Sequence, residues 1–163
     1  MNITAICPGS FDPITLGHLD IIRRAAVMFA RVIVLVTLNP EKTPCFSAEE
    51  RADMIKKTVA DIPNVSVEIY GGLLAAYAKK AGAKAIVKGL RALTDFEYEF
   101  QMALTNKKLY PQADTVFLAA EAENMYLSSG MVRTVGKMGG DISDFVPTVL
   151  CEYVQERLAG RKM

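Results

Sequence analysis

The sequence predicts an α/β protein built on a doubly wound, Rossmann-like sheet of five parallel strands with helices on both faces. Five short apolar runs rich in β-prone residues lie along the chain, at residues 3–7, 32–38, 65–69, 85–87 and 115–119. Segments with apolar residues at helical spacing separate them, which is typical of βαβ units around a parallel sheet. With 163 residues, of which 51% are hydrophobic and 23% charged, the chain is predicted to form one domain, residues 1–163.

The first strand leads through a polar loop into the first helix. This loop, residues 8–18, has the sequence Pro-Gly-Ser-Phe-Asp-Pro-Ile-Thr-Leu-Gly-His and contains the one histidine of the chain. Gly9 and Gly17 allow the backbone to approach a ligand closely, and the N-terminus of the following helix offers unpaired N–H groups to an anion. Apolar residues then recur at helical spacing, namely Leu19, Ile22, Ala26 and Phe29. The segment therefore predicts a phosphate-binding loop.

Two capping-box patterns predict where later helices begin. The segment starting with Ser47 has the S-x-x-E pattern and predicts a helix to about Ala60, after the second strand. The segment starting with Thr94 has the T-x-x-E pattern and predicts a helix to about Leu109. In doubly wound sheets, ligands bind beyond the carboxyl ends of the strands, where the strand order switches. The loops after the first, second, fourth and fifth strands are therefore expected to converge.

The last part of the chain predicts two more helices. Ser128 and Ser129 stand at the N-terminus of a helix that ends at Gly139-Gly140, and residues 146–158 form the last helix. An N-cap serine commonly does no more than satisfy backbone donors, but the same geometry can bind a phosphate.

Charge and cysteine usage restrict the partners and the compartment. The chain has 19 basic and 18 acidic residues without a charged run, which argues against nucleic acid or an anionic membrane as the main partner. No signal segment and no apolar run of membrane-spanning length occurs, so a cytoplasmic protein is expected. The three cysteines are widely separated, and no cluster of acidic residues, cysteines and histidine has metal-ligand spacing. We therefore expect neither a disulfide framework nor a protein-held metal.

Two familiar nucleotide-binding motifs are excluded by spacing. No G-x-G-x-x-G occurs, so a dinucleotide-dependent oxidoreductase loses its main support. The segment from Gly130 to Lys137 resembles a P-loop only superficially. Five residues instead of four separate its glycines, Met138 replaces the required Ser or Thr, and the segment has a helical pattern and does not follow a strand.

Four motifs in matching order resemble one known family. The run from Pro8 to His18 resembles the T/H-x-G-H signature of the nucleotidyltransferase superfamily. Three further segments resemble other signatures of the bacterial phosphopantetheine adenylyltransferase family within that superfamily: Lys88-Gly89-Leu90-Arg91, Asp95-Phe96-Glu97-Tyr98-Glu99 and Tyr126-Leu127-Ser128-Ser129. The resemblance covers almost the whole chain. It implies transfer of an adenylyl group from ATP to 4'-phosphopantetheine, giving dephospho-coenzyme A and pyrophosphate.

The resemblance also implies roles for individual residues. It makes His18, Lys42, Ser10 and Arg91 the catalytic group, and Ser10, Lys42, Leu74 and Lys88 the contacts of the acceptor. It makes the following residues ATP contacts: Ser10, Phe11, His18, Gly89, Leu90, Arg91, Glu99, Asn124, Met125, Tyr126, Leu127, Ser128, Ser129 and Gly130. Leu73 and Leu74 are candidates to border the apolar pantetheine arm, although leucines at a helix start more often belong to the core. Met102 and Asn106 are weaker candidates for the same pocket. Magnesium is expected to arrive on the ATP phosphates, with no protein ligand, and the family is hexameric, so a homohexamer is expected.

The chemistry of adenylyl transfer fits these residue types. In-line attack on the α-phosphorus needs positioning and charge stabilisation and no covalent nucleophile. His18 at a helix start can donate a ring N–H to an α-phosphate oxygen, although a single histidine there is often merely exposed. A lone loop lysine such as Lys42 is usually solvated, but a cation between two phosphates lowers their repulsion. Lys88 and Arg91 are expected just after the fourth strand.

Two positions depart from the family pattern. Lys88 stands where arginine is frequent, so it keeps the charge and loses bidentate geometry. Gly130 stands where a third hydroxyl residue is usual and retains only its backbone N–H. Two other functions remain open: another adenylyl- or cytidylyltransferase of the superfamily, and a non-catalytic nucleotide-binding module that kept the loops. Retention of Ser10, His18, Lys42 and Arg91 argues against the module, because a mere binder needs no cations that orient an acceptor.

Overall fold

The protein is described by a computed structural model that covers residues 2–160, apart from the side chains of Leu93 and Thr94. Five strands form one sheet: β1 (Thr4–Gly9), β2 (Arg31–Thr37), β3 (Val65–Tyr70), β4 (Ala85–Leu90) and β5 (Asp114–Ala119). The α-helices are α1 (Leu16–Met28), α2 (Ala48–Thr58), α3 (Leu74–Ala81), α4 (Leu93–Leu109), α5 (Ser129–Lys137) and α6 (Cys151–Leu158). Short 3₁₀ turns occur at Ala122–Asn124 and Thr148–Leu150.

The five strands are parallel and lie in the order β3-β2-β1-β4-β5. The chain moves outward on one side of β1 through β2 and β3, and then returns to the other side of β1 with β4. The switch in strand order therefore lies between β1 and β4, where Ile6 is paired with Ile86. This confirms the predicted doubly wound fold, and it puts the carboxyl ends of β1 and β4 on either side of the crevice where such folds bind ligands.

Alternate residues of the central strands supply two separate cores. Cys7 and Val34 belong to the larger core, which includes apolar residues of α1, α2, α5 and α6. Ile6 and Leu35 belong to the smaller core, which includes Tyr77 of α3 and the segment that follows α4. Helices therefore cover both faces of the sheet. Each fully buried aliphatic side chain of this kind contributes about 1.5–3 kcal/mol of hydrophobic stabilisation.

The capping box predicted at Ser47 is confirmed, and it also binds the C-terminal helix. Ser47 Oγ accepts the N–H of Glu50 at 3.1 Å, and Glu50 Oε2 accepts the N–H of Ser47 at 2.7 Å. The Glu50 carboxylate also accepts the Tyr153 hydroxyl at 3.0 Å and Arg157 Nη1 at 2.9 Å. α6 is thus attached to the first turn of α2.

Several predicted boundaries were wrong. β1 continues to Gly9, two residues beyond the predicted end at Cys7, because its pairing with β2 extends through Pro8 and Gly9. α4 begins at Leu93 with Ala92 as N-cap, two residues before the predicted N-cap Thr94, because the Asp95 carboxylate accepts the N–H of Arg91 at 3.3 Å. The fourth strand continues to Leu90, so Lys88 lies in β4 and not after it, since the β5 ladder extends through Gly89. The last α-helix begins at Cys151 and not at residue 146, because residue 146 precedes Pro147 and a residue before proline disfavours the helical conformation.

The helices of residues 2–160 were also compared with the dimensions of a bilayer. None of them combines the length and the apolar character that crossing a membrane requires.

Candidate active site

His18 lies in the first turn of α1 and is held there by Thr15. The Thr15 backbone N–H donates to His18 Nδ1 at 3.0 Å, and the His18 N–H donates to Thr15 Oγ1 at 3.3 Å, which together form a capping box. The Phe11 ring packs edge-on against the imidazole, with centroids 5.1 Å apart. The ring is thus fixed at the crevice between β1 and β4.

The hydrogen bonds around His18 define its tautomer. Because Nδ1 accepts a backbone N–H, its lone pair is occupied, and the proton of the neutral ring resides on Nε2. Desolvation by the surrounding protein, followed by the positive charges of Arg91 and Lys88, lowers the pKa of His18 from 6.5 to about 4. At neutral pH the ring is therefore an uncharged Nε2–H donor that faces the cavity described next.

A nuclear magnetic resonance titration of the imidazole tests this assignment, and the chain contains one histidine, so the signal is unambiguous. In the free protein the midpoint should lie near pH 4, with the nitrogen shifts of an Nε2–H tautomer. Lys88→Met should raise the midpoint, because it removes one of the charges that lower the pKa. The unfolded chain takes up this proton at an ordinary pKa of about 6.5, so the free energy of unfolding should also fall as the pH drops from there towards 4. A midpoint at or above 6.5 would contradict the assignment.

The first cavity lies at the strand switch and contains balanced charges. His18, Lys88 and Arg91 line it together with Asp95 and Glu99. Lys88 Nζ is 3.1 Å from Glu99 Oε1. Arg91 Nε donates to Asp95 Oδ2 at 3.0 Å, and Arg91 Nη1 donates to the Leu127 carbonyl at 2.6 Å. Each cation is therefore paired with a carboxylate, and a phosphate that enters must compete with Glu99 for Lys88.

The glycine of the Lys88-Gly89-Leu90-Arg91 motif has a packing role. A Cβ at Gly89 would lie 2.8 Å from Ile21 Cγ1 on α1, closer than side chains approach one another. The absence of a side chain therefore lets β4 and α1 come together at the crevice that contains His18.

The N-terminus of α5 closes the same cavity. Ser128 is the N-cap, and its Oγ accepts the N–H of Met131 at 3.0 Å, as predicted. Ser129 Oγ donates to the Pro13 carbonyl at 2.7 Å, which joins this helix to the loop after β1. The first N–H groups of the helix lack intrahelical partners and, with the helix dipole, favour an anion at this point.

The second cavity lies on the other side of Ser129 and contains an excess of positive charge. It is lined by Ser10, Asp12, Thr37, Asn39, Lys42, Thr43, Pro44, Arg51, Ser129, Gly130 and Arg133. Three of these side chains are cationic, and one carries a carboxylate. Because Ser129 lines both cavities, a ligand in one can approach a ligand in the other.

Asp12 holds the loop that carries Lys42 against the loop after β1. Its two carboxylate oxygens accept the N–H groups of Cys45 and Phe46, each at 2.9 Å, and its side chain is buried. Arg133 Nη1 on α5 donates to the Asp12 carbonyl and lies 3.5 Å from its carboxylate. Three segments are thus connected at one residue.

The structure brings together most of the residues that the sequence marks as site candidates, and leaves several outside. Asn124 and Gly89 line the first cavity, and Gly130 lines the second. Other candidates line neither cavity: Leu73, Leu74, Leu90, Met102, Asn106, Met125 and Tyr126. Leu74 begins α3 and packs against the smaller core, whereas Met125 and Tyr126 are exposed.

Three residues of the site were missed by sequence reasoning: Asp12, Arg51 and Arg133. They are polar residues of a loop and of two helices, and no spacing distinguishes them from solvated ones. Thr15 is predicted from the sequence as a hydrogen-bond donor of the phosphate-binding loop, and the structure shows in addition that it caps the helix and holds His18.

The described residues contain no group of three or more His, Cys, Asp or Glu side chains arranged to hold a metal ion. The chemical capacity of the site lies in its N–H donors and cations. A neutral imidazole donor, one charge-balanced cavity and one cationic cavity meet at a helix N-terminus. This arrangement suits two phosphorylated molecules held side by side, with charge developing on oxygens between them.

Comparison with known proteins gives one family and many close relatives. Residues 6–135 match the family model described as cytidylyltransferase-like. A phosphopantetheine adenylyltransferase from Caldanaerobacter subterraneus subsp. tengcongensis is 53% identical over 153 residues, which are 94% of this chain and 96% of that one. A phosphopantetheine adenylyltransferase from Dictyoglomus turgidum is 53% identical over 155 residues, 95% of this chain and 97% of that one.

Solved structures give the same fold. A protein from Vibrio parahaemolyticus assigned as a nicotinate-nucleotide adenylyltransferase superposes with a TM-score of 0.71, at 20% identity, covering 100% of this chain and 98% of that one. At this identity the similarity concerns the architecture of the sheet and helices alone.

Proposed function

This chain belongs to the cytidylyltransferase-like family and, within it, to the phosphopantetheine adenylyltransferases, and from that membership we infer that it transfers the adenylyl group of ATP to 4'-phosphopantetheine. The products are dephospho-coenzyme A and pyrophosphate. One observation carries the assignment of chemistry to this site. A neutral His18 Nε2–H donor faces a crevice whose two cavities together contain the cations Lys42, Lys88 and Arg91.

The reaction needs no covalent enzyme intermediate. An oxygen of the acceptor phosphate attacks the α-phosphorus of ATP. The bond between this phosphorus and the oxygen that bridges the α- and β-phosphates breaks, and pyrophosphate leaves with the electron pair. In our proposal His18 Nε2–H donates to an α-phosphate oxygen, where charge develops in the transition state. Such a donor acts strongly because it is fixed in place before the reaction, here by Thr15.

In this proposal the acceptor phosphate lies where the two cavities adjoin, and the nucleotide extends through the first cavity. Lys42 and Ser10 bind the acceptor phosphate from the second cavity, and Lys88 contacts the same phosphate from β4. The nucleotide occupies the first cavity and the N-terminus of α5, with Arg91, Glu99, Asn124, Ser128 and Ser129 around it. Arg91 is proposed to act partly through the Leu127 carbonyl, because that contact fixes the helix start on which the phosphates lie.

Magnesium is proposed to enter with ATP, bound to phosphate oxygens and water. Magnesium keeps several waters when it binds substrate phosphates and commonly uses few protein ligands. The lining of the first cavity would then face a partly neutralised triphosphate, which fits its balanced charges.

We also propose a cytoplasmic homohexamer. The free state of Cys7, Cys45 and Cys151 supports a reducing compartment. The apolar side chains that α4 leaves exposed support assembly, because monomers rarely expose so many on one element. They are Phe96, Tyr98, Phe100, Met102, Leu104 and Leu109.

A panel of acceptors tests the reaction. The purified protein is incubated with Mg²⁺ and ATP and with 4'-phosphopantetheine, pantetheine, nicotinate mononucleotide or glycerol 3-phosphate, and the products are identified by mass. We expect adenylation of 4'-phosphopantetheine and none of pantetheine, because the missing phosphate is the nucleophile itself. The other two phosphates lack the pantetheine arm and should be poor acceptors.

Each other outcome of the panel has a distinct meaning. Preferential turnover of nicotinate mononucleotide or glycerol 3-phosphate would move the chain to another branch of the superfamily. Absence of turnover with every acceptor, in a protein that binds ATP, would favour the non-catalytic module.

A further inference from the structure

Arg51 on α2 is a buried cation without an acidic partner. Arg51 is only 4% exposed. None of the ion pairs among the described residues includes it. Removing a charge from water without a counter-ion is costly, so an isolated buried guanidinium needs an explanation beyond packing.

Backbone carbonyls hold the guanidinium in a fixed orientation. Arg51 Nη1 donates to the Ser10 carbonyl at 2.8 Å and more weakly to the Thr37 carbonyl at 3.5 Å. Arg51 Nε donates to the Ser47 carbonyl at 3.3 Å. These contacts join the ends of β1 and β2 to the start of α2.

The remaining nitrogen, Nη2, is the one nitrogen of the Arg51 guanidinium that has no hydrogen-bond partner among the described residues. It is not sealed, because the one enclosed side-chain polar atom without a partner in that part of the chain is Ser66 Oγ. Arg51 lines the second cavity together with Lys42, and it also lines a neighbouring cavity with Leu38 and Gly71. Of these two cavities, only the second is lined by further cations, so it is the one suited to an anion. A guanidinium with two of its nitrogens occupied and one free presents a prepared donor to an incoming oxygen.

The charges of the second cavity favour an anion there. Lys42, Arg51 and Arg133 are balanced only by Asp12, whose carboxylate already accepts two backbone N–H groups. In the first cavity, each of the cations Lys88 and Arg91 has its own carboxylate. The unbalanced positive charge therefore lies in the second cavity, which contains Lys42.

We propose that Arg51 is a further binding residue for the phosphate of the acceptor, which Nη2 contacts opposite Lys42. This assignment rests on the proposed function. The acceptor is favoured over the ATP tail because Arg51 connects the Lys42 loop with Ser10, and both segments form the acceptor side. The phosphate supplies the counter-charge that the protein lacks, and the guanidinium is ready to receive it without reorganisation.

The test measures how much the phosphate itself contributes to binding. Dissociation constants of 4'-phosphopantetheine and pantetheine are determined by calorimetry without ATP for the wild type, Arg51→Met, Arg51→Lys and the control Arg23→Met. Arg23 is an exposed arginine whose partner, Asp61, is also exposed. The dissociation constant of pantetheine divided by that of 4'-phosphopantetheine should shrink roughly 10-fold or more in Arg51→Met. This ratio should shrink partly in Arg51→Lys and remain unchanged in Arg23→Met. A purely structural role would weaken both ligands alike and leave the ratio unchanged.

Steady-state kinetics supplies an independent readout. Arg51→Lys, which retains the charge and is the variant more certain to fold, should raise the KM for 4'-phosphopantetheine and leave the KM for ATP unchanged. A rise confined to ATP would assign Arg51 to the triphosphate and overturn the proposal. If the wild type binds 4'-phosphopantetheine more tightly than pantetheine and Arg51→Met leaves the ratio of the two dissociation constants unchanged, the proposal is also overturned. The proposed reaction would still stand. A wild type that binds 4'-phosphopantetheine and pantetheine equally would overturn the proposal for Arg51, whereas failure of the proposed function would show as absence of turnover in the acceptor panel.

Discussion

Replacement of His18 by alanine should lower kcat by about 100-fold or more and change ATP affinity little. The Nε2–H is placed for an oxygen on which charge grows as the reaction proceeds, so its contact is worth more in the transition state than in the ground state. Single-turnover kinetics separates the chemical step from binding, and equilibrium ATP binding is measured on the same variant.

His18→Gln is the matched control for this prediction. Its amide can place an N–H near the position of Nε2, but it does not reproduce the Nδ1 acceptor that receives the Thr15 N–H. Turnover should recover in part. A folded His18→Ala protein with turnover close to that of the wild type would exclude the role proposed for the imidazole.

Replacement of Asp12 by alanine should lower the free energy of unfolding by about 2–4 kcal/mol. The buried carboxylate accepts the N–H groups of Cys45 and Phe46, and both donors would lose their partner together. The loop that carries Lys42 would also lose its attachment, so the KM for the acceptor should rise. Denaturant unfolding and acceptor titrations measure the two effects.

Two substitutions calibrate the Asp12 result. Asp12→Asn keeps one acceptor oxygen and should show about half of the loss, because one N–H remains paired. Asp141→Ala also removes a carboxylate that accepts a backbone N–H, that of Ser143 at 2.9 Å, but in an exposed loop where water replaces it. It should change stability little. Equal losses for Asp12→Ala and Asp141→Ala would refute the bridging role of Asp12.

The fold was predictable because its signals are local and repeated. Apolar β-prone runs alternate with helical patterns, and Ser47 and Ser128 are N-caps in the structure as predicted. The boundaries that failed depended on distant residues. The length of β4 is determined by pairing with β5, and the start of α4 depends on a carboxylate that pairs with Arg91.

The site was predictable where a motif marks a residue, and not where its function arises from packing. His18, Lys88, Arg91 and Ser129 stand in recognisable motifs, and the structure brings them to one cavity. Arg51 becomes noticeable only when burial and missing partners are known. Leu74 is the opposite case: the family resemblance implies an acceptor contact at this position, but Leu74 lines neither cavity and packs against the smaller core.

The contact between the Thr15 N–H and His18 Nδ1 has a consequence for the direction of the reaction. An imidazole whose one nitrogen is engaged by a peptide group cannot relay a proton through the ring, so under the proposed chemistry it neither gives nor takes one. The same uncharged donor then serves synthesis of dephospho-coenzyme A and its pyrophosphorolysis equally. The imidazole needs no change of protonation state between the two directions. Net flux then follows the concentrations of pyrophosphate and the other reactants.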